Sequence, residues 1–194
     1  MTQQFKDRDA TKTYLALVRG VTASEGRIDA KLHVSKDTHH FRVYVSPKGK
    51  AAVTEYRLLR VLKLTNSPAG SSSGTSGGSG LGDSRPDEAD TRQSAAEPER
   101  SKEVFSLLEV KPLTGRTHQI RAHFASEGFP LVSDTKYKPK VAKRQLKFCP
   151  RLFLHAARLS VRDVDGAVVE AEAPLPSDLQ AVLSLMEDVA MPEA

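Results

Sequence analysis

The stretch KPLTGRTHQIRAH, residues 111–123, places two arginines and two histidines around the predicted start of a helix. We predict the helix over residues 117–127, with Thr117 as its N-cap and Gly128 as its stop. A cation near a helix N-terminus opposes the helix dipole, which favours negative charge there. The stability of the helix therefore does not explain why Arg116 occupies this position.

Some residues around Arg116 suit packing against a sheet, and others suit the binding of an anion. Ile120 and Phe124 are four positions apart and form an apolar pair that can dock on a sheet. Arg116 precedes the helix, so its guanidinium can turn away from the helix and across the sheet edge. A tight turn that presents a cation and several donors suits a carboxylate or a phosphate. Taken alone, an arginine here could also be a surface or salt-bridged residue.

Most of the remaining sequence predicts β-strands, because β-branched and aliphatic residues alternate in short runs between turn residues. The predicted strands cover residues 12–20, 26–34, 40–53, 50–64, 103–113, 152–163 and 166–176. A second helix is predicted after Ser177 as N-cap. Its apolar face would consist of Leu179, Val182, Leu183 and Met186. Strands outnumber helices, so we predict an α+β domain with a mixed or antiparallel sheet.

A low-complexity segment, residues 66–103, interrupts this pattern. It holds six of the chain's twelve glycines and almost no large apolar residue, so we predict that it is disordered. The flanking segments both predict strands. We interpret residues 66–103 as a long loop between two strands of one sheet, because closure entropy grows only logarithmically with loop length. The domain would then comprise residues 1–65 and 104–194.

Composition limits the classes of function. The single cysteine, Cys149, excludes an internal disulfide and suits a reducing, intracellular compartment. The sequence contains no apolar run of the roughly 18 residues that a transmembrane helix requires, so no membrane partner is expected. The net charge is +5; residues 66–103 carry a net −3, which leaves +8 on the rest. That excess is consistent with a polyanionic partner, or with a merely soluble basic surface.

The segment KPLTGRTHQIRAH, followed by GFPLVSDTKY, resembles the signature of RNA pseudouridine synthases of the RluA type. KTYLALVRG, GKAAVTEYRLL and RLFLHAARLSV resemble further strands of that family, in the same order. Ser133 stands where the family usually has glycine, which would alter that turn. The resemblance covers nearly the whole chain except the segment 66–103. It implies a pseudouridine-synthase-like fold, of which this chain would be the C-terminal part.

The resemblance also implies a chemistry without metal or organic cofactor. Such enzymes break the N1–C1′ bond of a uridine in RNA, turn the base and rejoin it through C5. An aspartate acts at the sugar or base, an arginine pairs with it, and a tyrosine packs on the flipped base. By motif match the arginine is Arg116 and the tyrosine is Tyr14.

The aspartate is the missing part of this match. In the family it precedes the strand that contains Tyr14, and we expect the segment that carries it to be absent from this chain. Asp29 is a poor substitute because it follows that strand, and Asp134 is expected to stabilise a turn. The leading hypothesis is a pseudouridine synthase whose aspartate segment is missing from the sequence or supplied by another polypeptide. The alternative is a catalytically inactive RNA-binding or ribonucleoprotein structural protein.

Ribosomal or transfer RNA is the expected substrate, and its predicted contacts are mostly basic. They are Lys111, Thr114, His118, Gln119, Arg121, Lys136, Lys138, Lys140, Lys143, Arg144 and Lys147. Cations in the loop 136–147 would give sequence-independent affinity that salt weakens, although a solvated loop is an equal possibility. Zinc is not expected, because His118 and His123 do not share a helix face. His155 is expected to be packed and hydrogen-bonded, and Cys149 shows no nucleophile pattern.

Overall fold

A computed structural model describes residues 10–37, 40–65 and 103–190. The strands are β1 (Thr11–Arg19), β2 (Glu25–Asp29), β3 (Leu32–Asp37), β4 (His40–Val45), β5 (Val53–Leu64), β6 (Val104–Pro112), β7 (Leu154–Arg162), β8 (Val168–Glu172) and β9 (Met186–Asp188). The helices are α1 (Gln119–Ser126), α2 (Pro139–Gln145) and α3 (Ser177–Ser184). None of these helices is long and apolar enough to cross a membrane.

An antiparallel sheet forms the centre of the described chain. Its strand order is β2–β5–β6–β1–β7–β8, and β9 pairs with the second half of β5. β5 and β6 pair from Thr54 opposite Pro112 to Lys63 opposite Val104. This pairing confirms that the segments flanking residues 66–103 are neighbouring strands of one sheet. The α+β class is also confirmed, and the sheet is antiparallel rather than mixed.

Alternation along β1 and β6 sends apolar side chains to both faces of the sheet. On one face, Val18 and Leu108 pack with Ile120 and Phe124 of α1, as the helix pattern predicts. On the other face, a second cluster brings the sheet together with α3. It contains Leu17, Leu62, Phe105, Leu107, Leu179, Val182 and Met186. Because the sheet is covered on both sides at its centre, the end of β6 and the loop that follows it have a rigid base.

The strands β3 and β4 form a separate two-stranded hairpin. The single strand predicted over residues 26–34 is therefore wrong, because the chain leaves the main sheet after β2. Leu32 and Val43 of the hairpin pack with Ala122 of α1 and with Ala52. Gly49 permits this turn, since a Cβ there would lie 2.3 Å from the carbonyl carbon of Leu32. Helix α1 is thus held between the main sheet and the hairpin.

Three further predictions about local structure are wrong. Helix α1 begins at Gln119 and its N-cap is His118, not Thr117. The basic segment predicted as a loop contains helix α2, which Pro139 starts and which buries Ala142 and Gln145. Met186, predicted on the last helix, begins strand β9 instead. Burial of Ala142 and Gln145 favours helix α2, and pairing of Met186 with Leu64 of β5 favours strand β9.

Ser133 adopts the backbone conformation that glycine favours. Its φ is +58° and it is buried. A left-handed conformation costs a side-chain-bearing residue about 1–2 kcal/mol. The Ser133 hydroxyl donates to the Cys149 carbonyl at 2.7 Å, and its N–H donates to Oε1 of Gln145 at 2.9 Å. These buried bonds offset a cost of that size. Whether this turn differs from the turn that glycine forms in the family stays a prediction.

The segment predicted to be disordered lies outside the described residues except for Glu103. Glu103 lies 3.4 Å from Arg19 and 3.8 Å from Arg144, measured between side-chain oxygen and nitrogen. Because Lys63 and Val104 are paired, the described strands that flank the segment lie side by side.

Deleting residues 68–100 and joining the ends with a short glycine-containing turn should leave the fold intact. A shorter loop has a smaller entropic cost of closure. The change should therefore be neutral or stabilise the domain by at most about 1–2 kcal/mol. Urea unfolding of the deletion variant and of the full chain measures the difference. A marked loss of stability would show that the deleted segment packs on the domain.

Candidate active site

Arg116 lies on the loop between β6 and α1, with its side chain exposed. Its Nε donates to the Ala51 carbonyl at 3.1 Å, so the guanidinium turns away from the helix towards the β4–β5 connection. Among the described residues it forms no ion pair. The predicted direction of the side chain is confirmed, and the predicted carboxylate partner stays a prediction. With the residues that the structure describes, the terminal nitrogens of the guanidinium form no hydrogen bond, so they can bind a further acceptor.

The buried amide of Gln119 fixes the Arg116 loop. Its Oε1 accepts from the Arg116 N–H at 3.0 Å and from the Thr114 hydroxyl at 2.6 Å. Its Nε2 donates to the Val53 carbonyl at 2.8 Å and to Oγ1 of Thr54 at 3.1 Å. Both lone pairs and both hydrogens of this amide are therefore used. Gln119 therefore joins the loop to strand β5, and its predicted contact with RNA stays a prediction.

Thr114 completes the connection on the other side of the loop. Its Oγ1 accepts from the Val53 N–H at 3.0 Å while its own hydrogen goes to Gln119. Thr114 was also predicted as an RNA contact, but both of these interactions are internal. Strand β5, the loop and the first turn of α1 therefore form one hydrogen-bonded unit.

His123 extends this unit into the core. It is completely buried, with Nδ1 2.9 Å from Oγ1 of Thr54 and Nε2 2.9 Å from the Ala30 carbonyl. A carbonyl only accepts, so Nε2 carries the hydrogen and Nδ1 accepts from the Thr54 hydroxyl. Thr54 in turn accepts from Gln119. Donation therefore runs in one direction, from Gln119 through Thr54 and His123 to the Ala30 carbonyl, and it requires neutral histidine.

Burial lowers the pKa of His123, because a charged imidazolium loses hydration in the core. The Ala30 carbonyl and the carboxylates of Glu127 and Asp29 act in the opposite direction but do not overcome burial. The pKa of His118 is also lowered, first by burial and then by the positive charges of Arg121 and Lys136. Both shifts favour the neutral form in the folded protein.

Tyr14, the tyrosine of the motif match, lies on β1 opposite Val110 of β6. On the other side of Val110 lies Tyr56 of β5, so the two tyrosines flank the same residue. Tyr14 is half-buried against the α1 face of the sheet, and burial raises the pKa of its hydroxyl. Tyr14 and Arg116 share one end of the sheet, since β6 runs from Val110 towards the Arg116 loop.

Arg121 forms an ion pair within the protein. Its Nε and Nη2 lie 2.9 and 2.7 Å from the two carboxylate oxygens of Asp134, which is fully buried. The same carboxylate accepts from the backbone N–H groups of Lys136 and Tyr137 at 3.0 Å. The turn-stabilising role predicted for Asp134 is confirmed. Arg121, predicted as an RNA contact, neutralises this buried acid.

His118 lies beside this pair with φ +50°. Its ring packs edge-on against Tyr137, with 6.0 Å between centroids, and its Nδ1 lies 3.5 Å from the Tyr137 hydroxyl. The guanidinium carbon of Arg121 lies 5.3 Å from the centroid of the Tyr137 ring. His118 is half-buried, so part of its ring faces solvent next to the Arg116 loop.

The remaining predicted RNA contacts lie on the surface. Lys111 is exposed, and its Nζ is 3.8 Å from Glu109. Lys136 is half-buried. The exposed cations around α2 are Lys138, Lys140, Lys143, Arg144 and Lys147. They share the solvent side of this helix, because Ala142 and Gln145 occupy the buried side.

The other titratable residues considered for the site are exposed to solvent, hydrogen-bonded or buried. Asp29 is exposed, 3.8 Å from Arg27. Nε2 of His155 donates to the Ala173 carbonyl at 2.9 Å, which confirms a hydrogen-bonded histidine. Cys149 is buried, and burial is the main cause that raises the pKa of its thiol. In the part of the chain that the structure describes, no three histidine, cysteine or acidic residues cluster as metal ligands.

A broad depression of about 480 Å³ crosses β2, β5 and β6. Its charged side chains pair with one another, as Arg27 with Glu55 at 2.7 Å and Arg57 with Glu109 at 3.4 Å. Alternation places these side chains on the opposite face from Tyr56 and α1. Tyr56 and Lys111 also line the depression, but no residue of the Arg116 loop does.

Sequence reasoning missed the role of Thr54, His123 and Tyr137. His123 stands in the quoted motif, and a histidine between Ala122 and Phe124 on a docked helix signals a buried, hydrogen-bonded ring. Thr54 has no such signal, because its partners Gln119 and His123 are 65 and 69 residues away along the chain.

Acidification should destabilise the domain through His123. Because the pKa of His123 is lowered in the folded state, the unfolded chain binds a proton at a higher pH than the folded chain does. The contribution of His123 to stability is therefore complete above the unfolded pKa of about 6.5 and is lost as the pH decreases below that value. Urea unfolding at pH 7.5 and at lower pH values, on the wild type and on His123→Gln, measures this. The variant should be less stable at pH 7.5 but lose less on acidification. Equal losses in both proteins would contradict the assignment.

A family model and curated relatives show what this chain is similar to. A family model described as RNA pseudouridylate synthase matches residues 1–126. An "Uncharacterized RNA pseudouridine synthase" of Chloroflexus aurantiacus is 35% identical over 190 residues, which cover 97% of this chain and 46% of the relative. A "Ribosomal large subunit pseudouridine synthase D" of Zymomonas mobilis is 28% identical, covering 96% of this chain and 48% of the relative.

A solved structure has the same fold. "Human RNA Pseudouridylate Synthase Domain Containing 1" matches all of this chain and 65% of its own length, with a TM-score of 0.67 and 23% identity. At this identity the match shows the fold alone. The chain spans about half the length of the two curated relatives described above. The family model covers well over half of this chain, and the chain belongs to the RNA pseudouridylate synthase family.

Proposed function

We propose that this chain forms the arginine-bearing part of an RNA pseudouridine synthase active site. The observation that carries the proposal is the Arg116 loop. Arg116 is exposed, held by the buried amide of Gln119, and forms no ion pair with a described residue. A cation fixed in this way at the end of the sheet that also carries Tyr14 suits a charged partner that completes a site.

In this proposal Arg116 pairs with a catalytic aspartate, and Tyr14 packs on the flipped uracil. The reaction breaks the N1–C1′ bond, turns the base and forms the C5–C1′ bond, while the proton on C5 is removed. Asp134 is already paired with Arg121, and Asp29 is solvated beside Arg27. The aspartate is therefore expected from a preceding segment of the same protein or from a second polypeptide.

The proposed substrate is ribosomal or transfer RNA, acted on inside the cell without a metal or organic cofactor. A relative named for the large ribosomal subunit supports the first of these. The candidate phosphate contacts are the exposed cations of α2 and its flanks, together with Lys111. Thr114, Gln119 and Arg121 support the site from within, because their polar groups are bonded to the protein.

The 194-residue chain alone should form no pseudouridine, because no described carboxylate faces Arg116. A fusion to the preceding half of the Chloroflexus relative should restore turnover of ribosomal or transfer RNA, measured by tritium release from C5-labelled uridine. In that fusion, Arg116→Lys should reduce turnover by about two orders of magnitude or more, since lysine cannot form the bidentate pair. Arg27→Lys, on the opposite face of the sheet, is the matched control. Turnover by the isolated chain would overturn this account of the aspartate.

A catalytically inactive RNA-binding protein is the second candidate. The observation that favours it is the exposed basic side of α2, which can bind phosphates without any chemistry. RNA binding by the fusion without turnover, together with no effect of Arg116→Lys, would support this alternative.

Changing Lys140, Lys143 and Arg144 together to alanine should weaken binding to all RNAs alike. The slope of log affinity against log salt concentration should decrease by about one unit for each lost phosphate contact. Fluorescence anisotropy across a salt series measures the slope. The matched control changes Arg27 and Arg57, which are exposed on the face of the sheet opposite α1, to alanine. An unchanged slope in the triple variant would mean that α2 is only a solvated surface.

A further inference from the structure

Helix α2 and its flanks present a row of cations to solvent. This basic face consists of Lys138, Lys140, Lys143, Arg144 and Lys147, all of which are exposed. Lys140 and Arg144 are one helical turn apart, and like charges at this spacing destabilise a helix. Within the part of the chain that the structure describes, the four lysines form no ion pair. The basic face therefore favours an acidic partner.

One carboxylate already reaches the basic face. Oε1 of Glu103 lies 3.8 Å from Nη2 of Arg144 and 3.4 Å from Nε of Arg19. The residue after Glu103 is Val104, which begins β6 and is paired with β5. Strand pairing and two cations thus fix the place where residues 66–103 rejoin the fold, and that place is beside α2.

The charges of the segment 66–103 are unevenly distributed along the chain. Residues 66–82 contain no charged side chain. Residues 87–99, the acidic stretch, contain five acids and one arginine, which gives a net charge of −4. The acids are Asp87, Glu88, Asp90, Glu97 and Glu99. The negative charge therefore lies in the part of the segment that leads into Glu103.

The length of the chain allows the acidic stretch to reach the whole basic face. Helix α2 has 7 residues and is about 10 Å long. Glu99 precedes Glu103 by four residues, so an extended chain spans about 14 Å between them. Glu97 can lie about 20 Å from the same residue. Because Glu103 is anchored at Arg144, on α2 itself, every cation of the basic face is within reach.

We propose that the basic face of α2 binds the acidic stretch of the same chain. Ion pairs between the acids of residues 87–99 and the lysines of the basic face extend the pair that Glu103 makes with Arg144. Three observations identify this partner: its complementary charge, its length, and the fixed point at which the segment meets α2. The contact itself does not depend on the proposed function.

The contact places an acidic competitor on a candidate phosphate site. Because the acidic stretch is tethered, its effective concentration at α2 is on the order of millimolar. An external polyanion must displace it, so the polyanion binds more weakly than it would to the lysines alone. For RNA as the polyanion, this consequence rests on the proposed function. Exposed ion pairs contribute little to folding stability, so the contact affects polyanion binding and not unfolding.

Binding of inorganic polyphosphate and of fluorescent oligouridylate to the full chain tests the competition. The amide variant changes the five acids of the acidic stretch: Asp87→Asn, Glu88→Gln, Asp90→Asn, Glu97→Gln and Glu99→Gln. It should bind polyphosphate about three- to thirtyfold more tightly than the wild type at low salt. High salt should remove the difference, because it screens exposed charges.

The amide variant also raises the net charge of the whole chain, so a second variant separates the two effects. Lys140→Gln, Lys143→Gln and Lys147→Gln remove the proposed partners of the acidic stretch. In this background the five amide changes should alter polyphosphate affinity by less than about twofold, since interacting groups are not additive. A gain that persists in full would come from net charge alone and would overturn the proposal.

Carbodiimide cross-linking locates the contact without any ligand. The reagent joins a carboxylate to an amine in direct contact with it, and mass spectrometry of the monomeric product identifies the pair. Cross-links should join residues 87–99 to Lys140, Lys143 or Lys147 and should disappear in about 1 M salt. If they reach the exposed lysines elsewhere on the fold equally often, the choice of α2 is wrong. These are Lys31, Lys48 and Lys111.

The outcomes separate this inference from the proposed function. Unchanged polyphosphate affinity in the amide variant overturns the contact and leaves the proposed function intact. If no variant binds oligouridylate while polyphosphate gives the expected result, the contact is supported and RNA as the ligand of α2 is overturned.

Discussion

The arrangement of the candidate site depends on one buried side-chain amide. Gln119 uses both hydrogens and both lone pairs to join strand β5 to the loop that carries Arg116. An unsatisfied buried amide would cost about 1–3 kcal/mol for each lost group, so these bonds define a single loop conformation. His123 and Thr54 set the direction of the bonds, because the Ala30 carbonyl can only accept. The exposed arginine is thus positioned by groups that solvent does not reach.

Short-range patterns predicted the parts of the fold that they determine. The pairing of β5 with β6 across residues 66–103 followed from two similar strand patterns, and the docking of Ile120 and Phe124 followed from their spacing. The β3–β4 hairpin was not predicted, because its separation from the main sheet depends on the contact of Leu32 and Val43 with Ala122. Helix α2 was missed for a similar reason: six basic residues obscured the two buried positions that fix it.

The motif match selected residues that lie at one end of the sheet, but it did not indicate which groups each of them contacts. Arg116 and Tyr14 lie at one end of the sheet, as the match requires. Gln119 and Arg121 had been expected to contact RNA, yet one supports the loop and the other pairs with a buried acid. Polar residues within a functional motif can support the site from inside, and their partners Thr54 and Asp134 are distant in sequence. Spacing along the chain therefore could not distinguish a residue that contacts the substrate from one that positions its neighbour.

The central claim is that the Gln119 amide holds the Arg116 loop, and hydrogen exchange at the Arg116 backbone amide tests it most directly. Gln119→Leu removes the acceptor for this N–H and puts in its place an apolar side chain of similar size that suits a helix. The account predicts that exchange at Arg116 becomes about tenfold faster or more, while protection at Leu17 in the centre of the sheet is unchanged. Equal exchange at Arg116 in the wild type and the variant, with the fold intact, would contradict the claim.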